Sequence, residues 1–172
     1  MELIVIAQFF ALFGLILNVM STQQEEKKKI LLFNGLSNFA SSIQYVLLQA
    51  YTGAVSCIVA TLRNVVFGKI KKVPLYVLII YYIIAIGLNI PAYNGLMSLI
   101  PVFNIMIYGY GIWQNNVKVT KLIIIIVSIT GIIYDAYNLA IVNCLSSILS
   151  GTGAIVGYIR YIKQTEEDKI IV

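Results

Sequence analysis

Histidine is missing from the sequence, and cysteine and proline are scarce, with two and three residues respectively. Without histidine, general acid–base catalysis would need carboxylates or lysines, and the two isolated cysteines, Cys57 and Cys144, do not make a metal site. Away from the lysine-bearing segments the carboxylates are Glu2 and Asp135, which cannot form a buried pair from helix interiors. The sequence therefore predicts a protein that is not an enzyme and that holds no metal, no other cofactor and no disulfide framework.

Charge is also scarce: 11% of the residues are charged and 60% are hydrophobic, whereas a soluble domain averages about 25% charged residues. Such a chain cannot cover a water-facing surface. A helix that crosses the roughly 30 Å hydrocarbon core needs about 20 apolar residues. The sequence divides into seven such stretches, which use nearly all of its 172 residues. No basic region precedes the first stretch, so we expect a retained helix rather than a signal peptide.

The seven stretches are predicted to be helices, because a membrane-spanning segment must bond its backbone groups internally. Runs such as Leu122 to Val127 show none of the alternation of barrel strands. The predicted ranges are 3–20, 30–49, 52–67, 74–90, 95–113, 120–136 and 140–162. The expected fold class is an all-α polytopic membrane protein.

All twelve lysines and arginines fall at alternate connections of these helices. They are Lys27, Lys28 and Lys29; Arg63, Lys69, Lys71 and Lys72; Lys118 and Lys121; and Arg160, Lys163 and Lys169. Cytoplasmic loops hold an excess of lysine and arginine, so the pattern predicts an external N-terminus and a cytoplasmic C-terminus. In a soluble protein the net charge of +5 would suggest nucleic acid, but here the cations lie at one leaflet. The expected partner is the lipid bilayer, not nucleic acid.

The chain also contains signs of an internal duplication. Gln24 and Gln114 lie 90 positions apart, and Tyr45 and Tyr134 lie 89 apart, each pair at matching helix ends. These landmarks predict two three-helix repeats, 1–72 and 93–163, joined by a linker helix, 73–92, and followed by a cytoplasmic tail, 164–172. Because three is odd, the linker helix is needed to give both repeats the same orientation. Two tyrosines of the linker helix, Tyr81 and Tyr82, have no assigned role.

Three segments carry a resemblance to known proteins: Leu17-Asn18 through the Gln-Gln-basic loop, Tyr45 through Ala54, and Ile58 through Asn64. In these segments the chain resembles the YgjV-type bacterial inner-membrane proteins, which implies an inner-membrane location. The 3+1+3 arrangement is similar to that of the SWEET and PQ-loop transporters, which implies transport by analogy of fold. The chain departs from those transporters where Thr22-Gln23-Gln24 replaces Pro-Gln. Of its prolines only Pro101 lies well inside a repeat helix, so their rocking mechanism is not implied.

Uncharged polar residues within the helices are the candidate site. The candidate solute-binding residues are Asn38, Gln44, Asn104, Asn143 and Ser150. Such amides and hydroxyls either bond neighbouring helices or line a solute site at the midplane between repeats.

Charged and aromatic side chains near the helix ends have separate predicted roles. Arg63, with Asn64, either anchors its helix among headgroups or lines an inner vestibule, and Asp135 is expected to be a solvated turn carboxylate. The aromatic residues are expected to form interface belts: Tyr45, Tyr51, Tyr93, Tyr134 and Tyr137 at the outer face, and Phe67, Trp113, Tyr158 and Tyr161 at the inner face.

The function predicted from these features is transport or facilitated diffusion of a small neutral, sugar-like solute, in one chain or in a homodimer. The scarcity of carboxylates within the helices argues against proton coupling. The alternative is a membrane scaffold or stress-response protein without a transport path.

Overall fold

The computed structural model describes residues 2–22, 27–70, 72–114 and 116–170. Within these residues the regular structure is entirely helical, with seven α-helices and one 3-10 turn, Leu96–Ser98. The helices are α1 (Glu2–Thr22), α2 (Lys27–Leu47), α3 (Tyr51–Lys69), α4 (Leu75–Asn89), α5 (Leu99–Trp113), α6 (Val117–Tyr137) and α7 (Ile141–Ile170). The predicted helix number and order are confirmed. The last helix is longer than predicted, since it continues through the described part of the expected tail.

Five helical segments are long and apolar enough to cross a membrane. They are Glu2–Ser21, Tyr51–Lys69, Leu96–Trp113, Lys118–Tyr137 and Ile141–Ile159. Helix α4 is apolar but has only 15 residues, so at 1.5 Å per residue it is about 22 Å long. Helix α2 has 21 residues but carries several amides and hydroxyls on its length. The polar composition of α2 is explained by what it faces inside the bundle.

The molecule is apolar outside and partly polar inside. Phe9, Ile83 and Leu96 are 68%, 65% and 79% exposed, as lipid-facing side chains must be. Small residues are buried between the helices, such as Ala7 and Ala140, which are both fully buried. Small side chains let helix backbones approach closely in a bilayer, where burial of apolar groups gives no driving force. The exposed apolar surface therefore contacts the lipid bilayer.

Neighbouring helices pack in two sets of three. Helix α2 lies against α1 and α3, and α6 lies against α5 and α7. The two sets meet where α1 contacts α7 and where α3 contacts α5, while α4 packs against α3 and α5. The space between the sets is where the candidate site lies.

Hydrogen bonds show which connections lie together at each end of the bundle. Thr52 at the start of α3 donates to the carbonyl of Ala92 (2.7 Å), and Gln8 of α1 donates to the carbonyl of Leu139 (3.0 Å). At the opposite end, Trp113 donates to the carbonyl of Val73 (2.9 Å). The α2–α3, α4–α5 and α6–α7 connections, which carry no lysine or arginine, therefore share one end, here called the cation-free end.

The two tyrosines of α4 fasten it to α5. The Tyr81 hydroxyl donates to the carbonyl of Ile105 (2.8 Å), and the Tyr82 hydroxyl donates to the carbonyl of Met106 (3.0 Å). The Tyr81 ring lies against Gly109, where a Cβ would come within 2.7 Å of a ring carbon. The role that the sequence left open is thus to hold the short helix to its neighbour.

The α2–α3 and α6–α7 turns have the same hydrogen-bond pattern, shifted by 90 residues. In the first turn the Ala50 N–H donates to the carbonyl of Tyr45, and in the second the Ala140 N–H donates to that of Asp135, both at 2.8 Å. Each turn has a non-glycine residue in the left-handed region, Gln49 (φ 58°) and Leu139 (φ 57°). This is the Schellman arrangement of a helix C-terminus. In this pattern Asp135, rather than Tyr134, holds the position that Tyr45 holds in the first turn.

The expected aromatic belts are only partly correct. Tyr51, Tyr93 and Tyr137 are exposed, as an interface position requires. Tyr45 and Tyr134 are buried between helices, as is Phe67 (1% exposed), so these three are not belt residues. The sequence shows that an aromatic residue lies near a helix end. Packing between helices decides whether its ring faces the lipid or the bundle interior.

Candidate functional site

A cavity of about 250 Å³ lies between the two sets of helices. Every helix except α4 contributes to its wall, and most of the lining side chains are polar. From α1 to α3 the lining residues are Asn18, Asn34, Ser37, Asn38, Ser41, Tyr45, Gly53, Ser56, Cys57 and Ala60. From α5 to α7 they are Pro101, Asn104, Ile105, Val127, Gly131, Tyr134, Asp135, Asn143, Ser146 and Ser147.

Helix α2 forms the polar wall because its polar residues recur on one face. Asn34, Ser37, Asn38, Ser41 and Tyr45 follow the spacing of three and four residues that places side chains on one side of a helix. Ser37 also donates to the carbonyl of Gly14 (2.7 Å), which holds α1 against α2. This polar face lowers the hydropathy of α2 and explains why it is not among the five apolar spans.

A chain of amides runs along the wall formed by the first three helices. The Asn64 amide donates to Oδ1 of Asn34 (2.7 Å), and Asn38 donates to the same oxygen (3.2 Å). Asn34 in turn donates to Oδ1 of Asn18 (3.4 Å). These bonds satisfy some of the hydrogen-bonding groups of the asparagine side chains and hold α1, α2 and α3 in register.

Arg63 lies behind this amide chain, inside the bundle. Its Nε and Nη2 donate to Oδ1 of Asn64 at 3.2 and 2.9 Å, while Nη1 is buried without a partner among the described residues. The guanidinium carbon lies 5.1 Å from the ring centre of Tyr108 and 5.9 Å from that of Tyr81, within the range of cation–π attraction. The side chain is 3% exposed, so it does not extend to the headgroups as the anchor interpretation requires, and it does not line the cavity.

The opposite wall has two amides and three hydroxyls, against three amides and four hydroxyls in the first wall, and it adds the carboxylate of Asp135. Asn104 accepts a hydrogen bond from Thr130 at 2.6 Å, which joins α5 to α6. Helix α7 contributes Asn143, Ser146 and Ser147 on one face. The two walls together present amide and hydroxyl groups to one small cavity.

Tyr45, Tyr134 and Asp135 line the cavity near the cation-free end. The two rings meet edge to face with centres 5.8 Å apart, and the Tyr134 hydroxyl accepts a hydrogen bond from the Gly53 N–H (2.9 Å). The Tyr45 hydroxyl donates to one oxygen of Asp135, and Ser147 donates to the other (3.3 Å). These contacts close the gap between α2, α3 and α6.

Asp135 was expected to be a solvated carboxylate in a turn, and this is wrong. It lies in the last turn of α6 and is 3% exposed. The helix continues beyond the expected boundary because the turn is stabilised by the hydrogen bonds from Asn138 and Ala140. Burial follows from the close approach of α2 and α7, whose hydroxyls satisfy the carboxylate.

The predicted solute-binding residues are divided by the structure. Asn38, Asn104 and Asn143 line the cavity together, whereas Gln44 and Ser150 do not. Gln44 is fully buried, and within the part of the chain that the structure describes both of its amide atoms lack a hydrogen-bond partner. Asn64 contacts the wall through Asn34.

Several lining residues were missed by reasoning from the sequence. They are Asn18, Asn34, Ser37, Ser41, Ser56, Tyr45, Tyr134 and Asp135. The signal that could have found those of α2 is the helical spacing of its polar residues. The position of Asp135 beside Tyr45 is a tertiary contact that no local pattern encodes.

The fold and the cavity define a polytopic α-helical membrane protein with a polar interior. A family model described as Imp-YgjV, bacterial inner membrane protein, matches residues 5–165. The chain belongs to this family and is a multi-pass protein of the bacterial inner membrane. Neither a curated protein nor a solved structure matches the chain.

Proposed function

We propose that the protein is a transporter or facilitator of a small polar solute, which binds in the cavity between α1–α3 and α5–α7. The observation that carries the proposal is the cavity itself. Polar side chains in the hydrocarbon region are costly unless they bond to each other or face a water-filled path. Here twenty residues from six helices line one cavity, and most of their side chains are polar.

The two walls support an origin in two parallel repeats, 1–72 and 93–163, with 73–92 as the linker. Six lining residues of the first wall have a counterpart 90 positions later in the second wall, the same shift as in the two turns. The pairs are Ser37 and Val127, Ser41 and Gly131, Tyr45 and Asp135, Gly53 and Asn143, Ser56 and Ser146, and Cys57 and Ser147. Transporters built from repeats bind their solute where the repeats meet, which agrees with a SWEET-like 3+1+3 architecture. The cavity is complete in one chain, so a homodimer is not required for binding.

The size and lining of the cavity limit the solute. A volume of about 250 Å³ equals that of roughly eight water molecules at about 30 Å³ each. It is smaller than the usual pockets for drug-sized ligands. Amide and hydroxyl groups bind by hydrogen bonds, so a small polyhydroxylated, sugar-like solute fits best. No catalytic step is part of the proposal.

The orientation belongs to the proposal as well. The cation-free end would face the periplasm and the lysine-bearing connections the cytoplasm, in line with the excess of cations in cytoplasmic loops. The N-terminus would then be outside, and the C-terminus in the cytoplasm.

The alternative function is a membrane scaffold without a transport path. It is favoured by the bonds of Asn34 to Asn38 and Asn64, because amides that satisfy each other also serve as packing contacts between helices.

The test begins with purified protein and a panel of sugars, polyols and other neutral metabolites, scored by thermal stabilisation. Solutes that stabilise the protein are then tested for uptake into liposomes that contain it. Asn38→Leu and Asn104→Leu should reduce uptake at least tenfold, since each removes a polar group from one wall. The matched controls Phe39→Leu and Phe103→Leu change exposed neighbours at the same depth and should transport normally. If no solute binds or is taken up, the scaffold function replaces the transport function.

A further inference from the structure

We propose that Asp135 is a proton-binding site within the membrane, and that its protonation releases the contact that closes the cavity at the cation-free end. Solute movement would then be coupled to a proton, contrary to the expectation from the scarcity of carboxylates in the sequence. The coupling rests on the proposed function, but proton binding and release of the closure do not.

The surroundings of Asp135 leave its negative charge without a cationic partner. The carboxylate lies within the Lys118–Tyr137 span and lines the cavity. Among the described residues, its hydrogen-bond donors are the neutral hydroxyls of Tyr45 and Ser147, and no ion pair involves it. A carboxylate in a low-dielectric region is costly unless it is paired. A proton is the ligand that neutralises this group in place.

The groups that face Asp135 are tyrosines, cysteines and side chains that do not titrate. The titratable side chains beside it are Tyr45 of α2, Cys57 of α3 and Tyr134 of α6 around the cavity. Cys144 of α7 lies with Asp135 at a second, apolar pocket of about 190 Å³. Tyrosine and cysteine ordinarily remain protonated near pH 7. Asn18 of α1 and the lining residues of α5 are not titratable. The carboxyl is therefore the group of this cluster that can change its charge.

Protonation of Asp135 acts directly on the contact between the two sets of helices. The Tyr45 hydroxyl of α2 donates to the Asp135 carboxylate of α6, and the two residues hold matching positions in the two turns. The contact thus lies where the two halves meet. A hydrogen bond to an ionised carboxylate is roughly twice as strong as one between neutral groups. Protonation weakens the bond, and the remaining contacts of the closure are the Tyr45–Tyr134 ring pair and the Gly53–Tyr134 hydrogen bond.

The first test measures proton occupancy at Asp135. Dicyclohexylcarbodiimide, an apolar reagent, adds to protonated carboxyl groups within membranes. The full chain in liposomes is treated at a series of pH values from mildly acidic to mildly alkaline, and the modified residue is found by peptide mapping among the seven aspartates and glutamates. We expect modification of Asp135 that rises as the pH falls. Modification of Asp135 that is absent at every pH, or equal at every pH, would overturn the proposal.

The second test measures the closure. A single cysteine is introduced as Ser41→Cys, at a lining position, into a chain with Cys57→Ser and Cys144→Ala. The rate at which this cysteine reacts with a membrane-impermeant thiol reagent is measured from the cation-free side. It is divided by the rate for Asn94→Cys, an exposed position at the same end. The ratio corrects for the effect of pH on thiol ionisation. The ratio should rise at least fivefold on acidification.

Two variants separate the proposal from a structural effect. Asp135→Asn imitates the protonated state and Tyr45→Phe removes the donor, so both should give the high ratio at every pH. If both variants keep the pH response of the unmodified chain, the proposal is wrong. These outcomes do not depend on any solute. Absence of uptake therefore overturns the proposed function alone, and absence of the pH response overturns the proton site alone.

Discussion

Gly53 is the position where the closure of the cavity is most tightly packed. A Cβ at this position would lie 2.9 Å from both Cε1 and the hydroxyl oxygen of Tyr134 and 3.1 Å from Cγ of Tyr45. Neither ring can move freely, because both are buried and each hydroxyl is hydrogen-bonded. The prediction is that Gly53→Ala destabilises the protein, although alanine is the better helix former.

Three effects set the change in the free energy of unfolding that Gly53→Ala causes. Overpacking a filled interior costs about 1–3 kcal/mol, and displacement of Tyr134 weakens its hydrogen bond with the Gly53 N–H, which is worth about 1 kcal/mol. The higher helix propensity of alanine returns about 1 kcal/mol. The free energy of unfolding should therefore fall by about 1–3 kcal/mol.

The assay is unfolding in mixed micelles with increasing sodium dodecyl sulfate, followed by loss of helical circular dichroism. The matched control is Gly87→Ala in α4, where a Cβ meets no atom within 4 Å, and which should be neutral or stabilising by up to about 1 kcal/mol. If Gly53→Ala is as stable as Gly87→Ala, the two rings do not pack against the α3 backbone as described, and the closure loses its basis.

Three further predictions concern α4, the buried arginine and the topology. Tyr81→Phe should lower the free energy of unfolding by about 0.6–1.7 kcal/mol, the range for hydrogen bonds between membrane helices, while Tyr76→Phe on the exposed face of α4 should be neutral in the same unfolding titration. Asn64→Leu should lower the free energy of unfolding by about 3 kcal/mol or more, because the guanidinium of Arg63 loses the oxygen that accepts two of its hydrogen bonds. Adding Arg63→Met to Asn64→Leu should restore part of this loss. An equal or larger loss in the double variant would contradict the role given to Asn64. Reporter fusions at residues 92 and 170 should report opposite sides of the membrane, and the same side for both would mean that the proposed topology is wrong.

Much of the fold follows from the sequence, because hydropathy and the distribution of charge can be evaluated along the chain without knowledge of tertiary contacts. Both indicate the helix number, and the charges also separate the connections into two groups that the hydrogen bonds of Thr52, Gln8 and Trp113 then place at opposite ends. The landmarks predict a shift near 90 residues, and the hydrogen bonds of the two turns show the same shift. Tyr134 is offset by one residue, because Asp135 holds the position in the second turn that Tyr45 holds in the first.

The candidate site was less predictable, since it depends on which side of each helix faces inward. Amides at midmembrane depth are few, so Asn38 and Asn104 could be chosen from sequence. Gln44 could not be excluded from the site by sequence alone. It lies one position before Tyr45, and a shift of one position along a helix turns a side chain from the cavity to the helix interface. Proximity to a cationic loop suggested that Arg63 extends to the headgroups, yet the rings of Tyr81 and Tyr108 and the amide of Asn64 hold it inside.

The central claim is that a water-filled path, rather than a dry packed core, separates the two halves. The most direct measurement is the reaction of single cysteines with a small polar thiol reagent in the membrane-embedded protein, in a chain with Cys57→Ser and Cys144→Ala. Asn38→Cys and Asn104→Cys lie on the cavity wall, and Phe39→Cys and Phe103→Cys are their lipid-facing neighbours at the same depth. We predict that the two wall positions react at least tenfold faster than their neighbours. Equal, negligible reaction at all four positions would contradict the account.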